Sequence, residues 1–213
     1  MTGMRFVGRV AAPAVLTGML LSGLAVPATA APAPVVAAAP AAAPAAVAAQ
    51  AVTEGQWLAD VQAAVAPARS YIEQRTAGAG AGERLAIVFD IDNTTLQTHF
   101  HPFTQPAIAS SLALADYARS RGVAVVFITA RPDFIESVTR YSLQHAGYPV
   151  DGLHGRDLGD LFRPVQVFKT AKRAAVEQQG YTIIANVGNN TTDLAGGHAE
   201  RTFKLPDYNG LLS

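Results

Sequence analysis

Two carboxylates stand one residue apart where an apolar run gives way to small polar groups, in Val88-Phe89-Asp90-Ile91-Asp92-Asn93-Thr94-Thr95-Leu96. Leu85, Ile87, Val88 and Phe89 suit a strand covered on both faces, an environment that excludes charge. Side chains two apart on a strand share a face, so Asp90 and Asp92 should project the same way from its carboxyl end. At about 4 Å and an effective dielectric near 20, two like charges repel by roughly 4 kcal/mol, which a shifted pKa or a bound cation relieves. Three later segments carry groups suited to an anion or a cation. Residues 122–131, G-V-A-V-V-F-I-T-A-R, form a second apolar run ending in the Thr129 hydroxyl and Arg131. Residues 168–173, F-K-T-A-K-R, present Lys169 and Lys172, and residues 188–194, G-N-N-T-T-D-L, present Asn189 and Asp193.

The surrounding pattern supplies elements to position these groups. Thr53 is an N-cap, and Val61, Val65, Ala68 and Ile72 follow at helical spacing, with a break predicted near Ala66 because Pro67 lies inside the pattern. Trp57 is expected to staple this helix to the core rather than touch a ligand. A loop over 78–82 precedes the motif strand, 85–90. A helix over 105–120 follows, with Ile108, Leu112 and Ala115 inward and Gly122 closing it. The second strand ends at Thr129, and Pro132 suits the first turn of a helix with Ile135, Val138 and Ser142 inward, ending at Ala146. A helix over 169–179, a strand over 182–187 and a short strand over 202–205 complete the series. This alternation predicts a three-layer α/β domain around a mainly parallel sheet. In such sheets ligands bind beyond the carboxyl ends of the strands, where strand order reverses, and Asp90, Thr129 and Gly188 all fall there.

The D-x-D-x-T segment after a hydrophobic strand resembles the first motif of the haloacid dehalogenase (HAD) superfamily, and the threonine, lysine and G-D-x-x-x-D-like segments follow in that family's order. Lys169-Thr170-Ala171-Lys172-Arg173, Gly180-Tyr181-Thr182-Ile183 and Arg201-Thr202-Phe203-Lys204-Leu205-Pro206 are similar to the class B and plant vegetative-storage-protein branch of secreted acid phosphatases. The resemblance spans residues 57–212 and implies a Rossmann-like, HAD-like fold. Fewer than fifteen residues separate Leu96 from the next helix, which leaves room for no more than a minimal cap.

The resemblance also implies roles. Asp90 is the nucleophile that forms an aspartyl-phosphate, and Asp92 is the acid and then the base. Thr129, with backbone N–H groups at Ala130, binds phosphate, and Arg131 is either a further phosphate ligand or a surface residue. Lys169 neutralises the phosphoryl group, with Lys172 as its rival, while Arg173 braces structure. His99, with Phe100, His101 and Phe103, lies where the family places its flap, and an open site there suits small phosphomonoesters. Mg²⁺ or another divalent cation is implied at Asp90, Asp92, Asn189 and Asp193. Asn189 departs from the family's aspartate, so restoring an acid there is expected to tighten metal binding. Asp193 is alternatively a helix cap. The competing function is a catalytically weak or inactive storage or phosphate-binding protein on the same scaffold. A third option is phosphotransfer, with an alcohol replacing water.

Composition bounds the rest. Arg5 and Arg9 precede an uncharged stretch, residues 10–26, and Ala28-Thr29-Ala30 has a signal-peptidase pattern. Residues 1–30 are therefore expected to be a signal peptide cleaved after Ala30, directing secretion by the general route. That stretch is short for a membrane span, so no stable membrane anchor is expected. Residues 31–52, almost all Ala, Pro and Val, are expected to be a disordered leader, and residues 53–213 the domain. The chain has 16 Lys plus Arg against 16 Asp plus Glu and no cysteine. Losing Arg5 and Arg9 takes the balance to about −2, which argues against nucleic acid as a main partner. The absence of cysteine excludes disulfides and thiolate metal sites. No oligomeric state is specified by the pattern.

Overall fold

The computed structural model describes residues 52–212. The expected signal peptide and nearly all of the expected leader lie outside the described residues. Within them, no helix is long and apolar enough to cross a membrane.

Thr53 caps helix α1 (Glu54–Ala77), its hydroxyl accepting from Gln56 N at 3.3 Å, and Trp57, Val61, Val65, Ala68 and Ile72 are buried along one side. The expected break at Ala66 does not occur. Pro67 sits on the exposed face of one continuous helix, so water can satisfy the carbonyl it strands one turn earlier, at exposed Ala63. Trp57 meets Phe100 at 5.3 Å between ring centroids, in the core role expected of it.

After α1 come β1 (Arg84–Phe89), α2 (Ala109–Ser120), β2 (Ala124–Pro132), α3 (Glu136–His145), β3 (Gly152–Arg156), α4 (Val165–Gln178), β4 (Tyr181–Gly188), α5 (Thr191–Leu194) and β5 (Arg201–Lys204). The five strands form one sheet in the order β3-β2-β1-β4-β5, every neighbouring pair parallel. Alternation along the strands separates two cores. Ile87, Phe89, Val125 and Phe127 pack with α1 and α2, whereas Ala86, Val88, Val126 and Ile128 pack with Phe168 and Val176 of α4. The result is the expected three-layer α/β arrangement.

Three boundaries differ from the sequence reading. The helix expected from residue 105 begins at Ala109, because Gln105 precedes Pro106 and a residue before proline avoids helical geometry; Gln105 adopts φ +44°. Pro132 ends β2 rather than opening a helix, pairing with Arg156 of β3, and a 3-10 turn (Asp133–Ile135) precedes α3. Because a 3-10 turn advances further per residue than an α-helix, the inner face rotates. Thr139 and Leu143 are buried, and Val138, expected inward, is exposed. Edge strand β3 was absent from the sequence reading, since only Leu153 of Gly-Leu-His-Gly-Arg is buried.

Strand order reverses between β1 and β4, because the chain winds outward through β2 and β3 and then returns to the other side of β1. The loops leaving β1 and β4 therefore flank one crevice.

Candidate active site

β1 ends at Phe89, and Asp90 is the first residue beyond it, its N–H held by the Val187 carbonyl of β4 at 2.9 Å. Asp90 is only 7% exposed. Its Oδ1 accepts from Lys169 Nζ at 2.5 Å, and the same ammonium donates to Asp193 Oδ1 at 2.6 Å. Residues from the end of β1, from α4 and from the short helix α5 that follows β4 thus meet at a single nitrogen. Lys172 points elsewhere, 3.4 Å from Asp160 Oδ2 and over the Phe168 ring, so Lys169 alone of the two rivals reaches the aspartates.

Burial pushes Asp90 up, to about 7, with Asp193 adding to the rise and Lys169 opposing it. Burial alone would lower Lys169, but the two carboxylates outweigh it and hold the ammonium above its ordinary value. Two buried carboxylates share one ammonium, leaving an excess negative charge that a proton or a cation can neutralise.

Asp193 is placed by a compact device. Asn190 is the N-cap of α5, its side chain accepting from Thr192 N at 3.1 Å, while Asp193 Oδ2 accepts from Asn190 N at 2.8 Å. The cap expected at Asp193 is thus Asn190, with Asp193 completing the box three residues on. Gly188 is obligatory: a Cβ there would lie 2.4 Å from Asp193 Cβ. From behind, Arg173 donates to the Asp193 carbonyl at 2.6 Å and to the Gly197 carbonyl at 2.9 Å, the bracing role read from sequence. Asn186 Nδ2 adds a bond to the Asp193 carbonyl at 2.9 Å. A register shift opposite Ala86 and Ile87 inserts Ile184 into β4, and this bulge turns Asn186 toward the α4 side.

Asp92 diverges from Asp90. Arg131 grips it with both arms, Nε to Oδ2 at 3.0 Å and Nη2 to Oδ1 at 2.7 Å, and also reaches Gln105 Oε1 at 3.1 Å. Shared orientation on a strand does not apply, because the strand stops at Phe89. Arg131 is half-buried and paired, which separates it from a free surface residue. Thr129 is buried at the end of the five inward residues of β2, its Oγ1 accepting from Arg131 N at 3.2 Å.

Asp90, Asp92, Ala130, Lys169, Asn189 and Asp193 line a crevice of about 180 Å³, together with Val165, Asn190 and Thr192, which the sequence reading did not single out. The Asn-Thr-Thr-Asp cap signature would have found Asn190. His99 is exposed, lies edge-on to Phe100 and does not line the crevice; His101 bonds to Glu54 at 3.0 Å. The Asn189 amide oxygen accepts from Thr94 Oγ1 at 3.2 Å instead of facing open space. A larger hollow of about 630 Å³ opens at the amino ends of β1 and β2, but its charged groups are already engaged: Arg119 with Asp151 at 2.9 Å, Glu83 with Arg75, and Arg84 with the Gln179 carbonyl at 2.8 Å.

Residues 101–211 match the family described as HAD superfamily, subfamily IIIB (Acid phosphatase). That stretch contains Thr129, Lys169, Asn189 and Asp193 and begins after Asp90 and Asp92. Among curated proteins, the chain is similar to a stem 28 kDa glycoprotein of Glycine max, 36% identical over 106 residues, covering 48% of this chain and 42% of that protein. It is also similar to acid phosphatase 1 of Solanum lycopersicum, 33% identical over 106 residues, covering 49% and 42%. The matched region is thus less than half the length of these relatives. Among solved structures, the class C acid phosphatase from Bacillus anthracis shares the fold with TM-score 0.60 at 17% identity, covering 73% of this chain and 80% of that one. A parallel sheet whose reversal point gathers Asp90, Lys169 and Asp193, and a family match over just over half of the sequence, lead to one assignment: the chain belongs to subfamily IIIB of the HAD superfamily, the acid phosphatases.

Proposed function

We propose that the protein is a secreted acid phosphatase that hydrolyses small phosphomonoesters through a phosphorylated Asp90. The observation that carries the reading is the convergence of Asp90 and Asp193 on the Lys169 ammonium in a buried crevice at the carboxyl ends of β1 and β4. Asp90 attacks phosphorus as the bond to the leaving alkoxide breaks, and Asp92 delivers a proton to that oxygen. Water then attacks the aspartyl-phosphate, Asp92 takes the water's proton, and the bond to Asp90 breaks to release phosphate. Lys169 neutralises the transferring group and orients Asp90, while Thr129 and the backbone at Ala130 supply donors to its oxygens. The Arg131 fork orients Asp92 and lies beside the incoming phosphoryl group, a competing anion for the same guanidinium.

The donor set fits a divalent cation. Two carboxylates share one ammonium, and among the described residues no three His, Cys, Asp or Glu side chains form a ready ligand group. Mg²⁺ suits such a sparse set because it keeps several waters. Asp90, Asp193 and the Asp92 carbonyl would hold it, and when bound it would supply charge stabilisation to the phosphoryl oxygens.

The retained pair Asp90 and Asp92 favours catalysis over a storage or phosphate-binding role on the same scaffold. Export follows from the leader pattern of residues 5–30, and a mature protein starting at Ala31 checks it. Purified protein is expected to release p-nitrophenol from p-nitrophenyl phosphate with Mg²⁺, and to lose that activity with chelator or in Asp90→Asn. Full activity in Asp90→Asn would remove the reading.

A further inference from the structure

Asn189 stands where the family pattern has an aspartate, and both ends of its amide are engaged away from the Lys169 ammonium. Its Nδ2 donates to the Leu212 carbonyl at 2.7 Å, and its Oδ1 accepts from Thr94 Oγ1 at 3.2 Å. Chemistry fixes this orientation, because a backbone carbonyl only accepts and so must face the NH₂ end. The same Leu212 carbonyl accepts from Asn93 Nδ2 at 2.9 Å, and Asn93 Oδ1 accepts from His99 N at 2.8 Å. Asn189 N returns to Thr94 Oγ1 at 3.0 Å. Asn93, Thr94, Asn189 and Leu212 are all buried, so the bonds among these four replace water that has no access.

We propose that Asn189 is a positioning residue rather than a metal ligand. One carbonyl, that of Leu212, joins the loop after β1 to the loop after β4 through two amides, and thereby sets the spacing between Asp90 and Asp193. The inference rests on the cation-assisted reading of the crevice only for what it says about the metal. It gives the departure from the family pattern a physical cause. A carboxylate at position 189 would point a lone pair at the Leu212 carbonyl, leaving two buried acceptors facing each other without a proton. Such an acid therefore loosens the site instead of improving it, the opposite of what the sequence pattern alone leads one to expect.

Asn189→Asp and Asn93→Asp each keep the amide's shape and an accepting oxygen, remove the donor to Leu212 and, when ionised, add a negative charge. In the full protein without metal at about pH 8, each is expected to lower the folded-to-unfolded ratio tenfold or more in urea, with a double variant costing at least the product of the two, because it alone leaves the Leu212 carbonyl with neither donor. The Asn189→Asp deficit shrinks at about pH 4.5, where the protonated carboxyl again donates to Leu212. Mg²⁺ affinity of Asn189→Asp, read by calorimetric titration, stays equal to or weaker than wild type. A variant as stable as wild type at pH 8, or one that binds Mg²⁺ at least tenfold more tightly, overturns the proposal. Wild-type protein that binds no Mg²⁺ would sink the cation reading, while the unfolding measurements would still decide the role of Asn189.

Discussion

Replacing Lys169 with methionine keeps an apolar stem of similar length and deletes the ammonium between Asp90 and Asp193. The distances of 2.5 and 2.6 Å to that nitrogen mean that two buried carboxylates remain close together with no cation between them. At roughly 5 Å and an effective dielectric of about 20, their repulsion is about 3 kcal/mol. Removing one partner of a buried ion pair costs about 3–5 kcal/mol, so the two routes agree. That is a large part of the stability of an ordinary domain, roughly 5–15 kcal/mol. The cluster has two ways to recover: protonating a carboxylate or binding a divalent cation. Lys169→Met is therefore expected to lose about 3–5 kcal/mol at about pH 8 without metal, less at about pH 5, and to regain stability with Mg²⁺. Urea unfolding followed through the fluorescence of Trp57, the single and fully buried tryptophan, reads each condition. Activity is expected to be lost throughout. A deficit below about 1 kcal/mol, or one unchanged between the two pH values, would refute the buried-cluster reasoning.

Two further predictions concern the same crevice. Asp90 is raised to about 7 by burial, so its contribution to stability is complete below its unfolded value near 4 and disappears as pH rises through 7. The metal-free wild type should therefore lose up to about 3 kcal/mol more than Asp90→Asn between about pH 4.5 and pH 8.5, a difference that cancels the opposite trend from His154, whose value burial lowers; parallel pH profiles would contradict the assignment. Gly188→Ala places a Cβ 2.4 Å from that of Asp193, so it should both lower stability by about 1–3 kcal/mol and reduce turnover, checked by urea unfolding and steady-state kinetics.

The sheet was legible because its central strands are nearly all apolar: Leu85 to Phe89 and Val125 to Ile128 are buried on two faces and read as strands in any context. The motif order then located the crevice, since Asp90 and Gly188 fall at strand ends that topology brings side by side. What escaped depends on contacts distant in sequence. Arg131 reads equally as a surface or a site residue until the fold sets its fork on Asp92, 39 positions earlier. Lys169 and Lys172 share one helix face by spacing, and only Asp160, from a segment absent from the sequence reading, draws Lys172 aside. The role of the Leu212 carbonyl has no sequence signature, because a backbone acceptor is common to every residue. Pro67 and Pro132 were misread for a simpler reason: a proline's effect depends on which face meets water and on whether a strand continues to pair.

The most direct test is to stop the reaction while phosphate is attached to the protein. Acid quenching during turnover of p-nitrophenyl phosphate, followed by borohydride reduction, converts an acyl-phosphate into an alcohol, so peptide mapping should find homoserine at position 90 and nowhere else. Rapid substrate turnover with position 90 unmodified, or with the label on another residue, would contradict the claim that Asp90 is the attacking group.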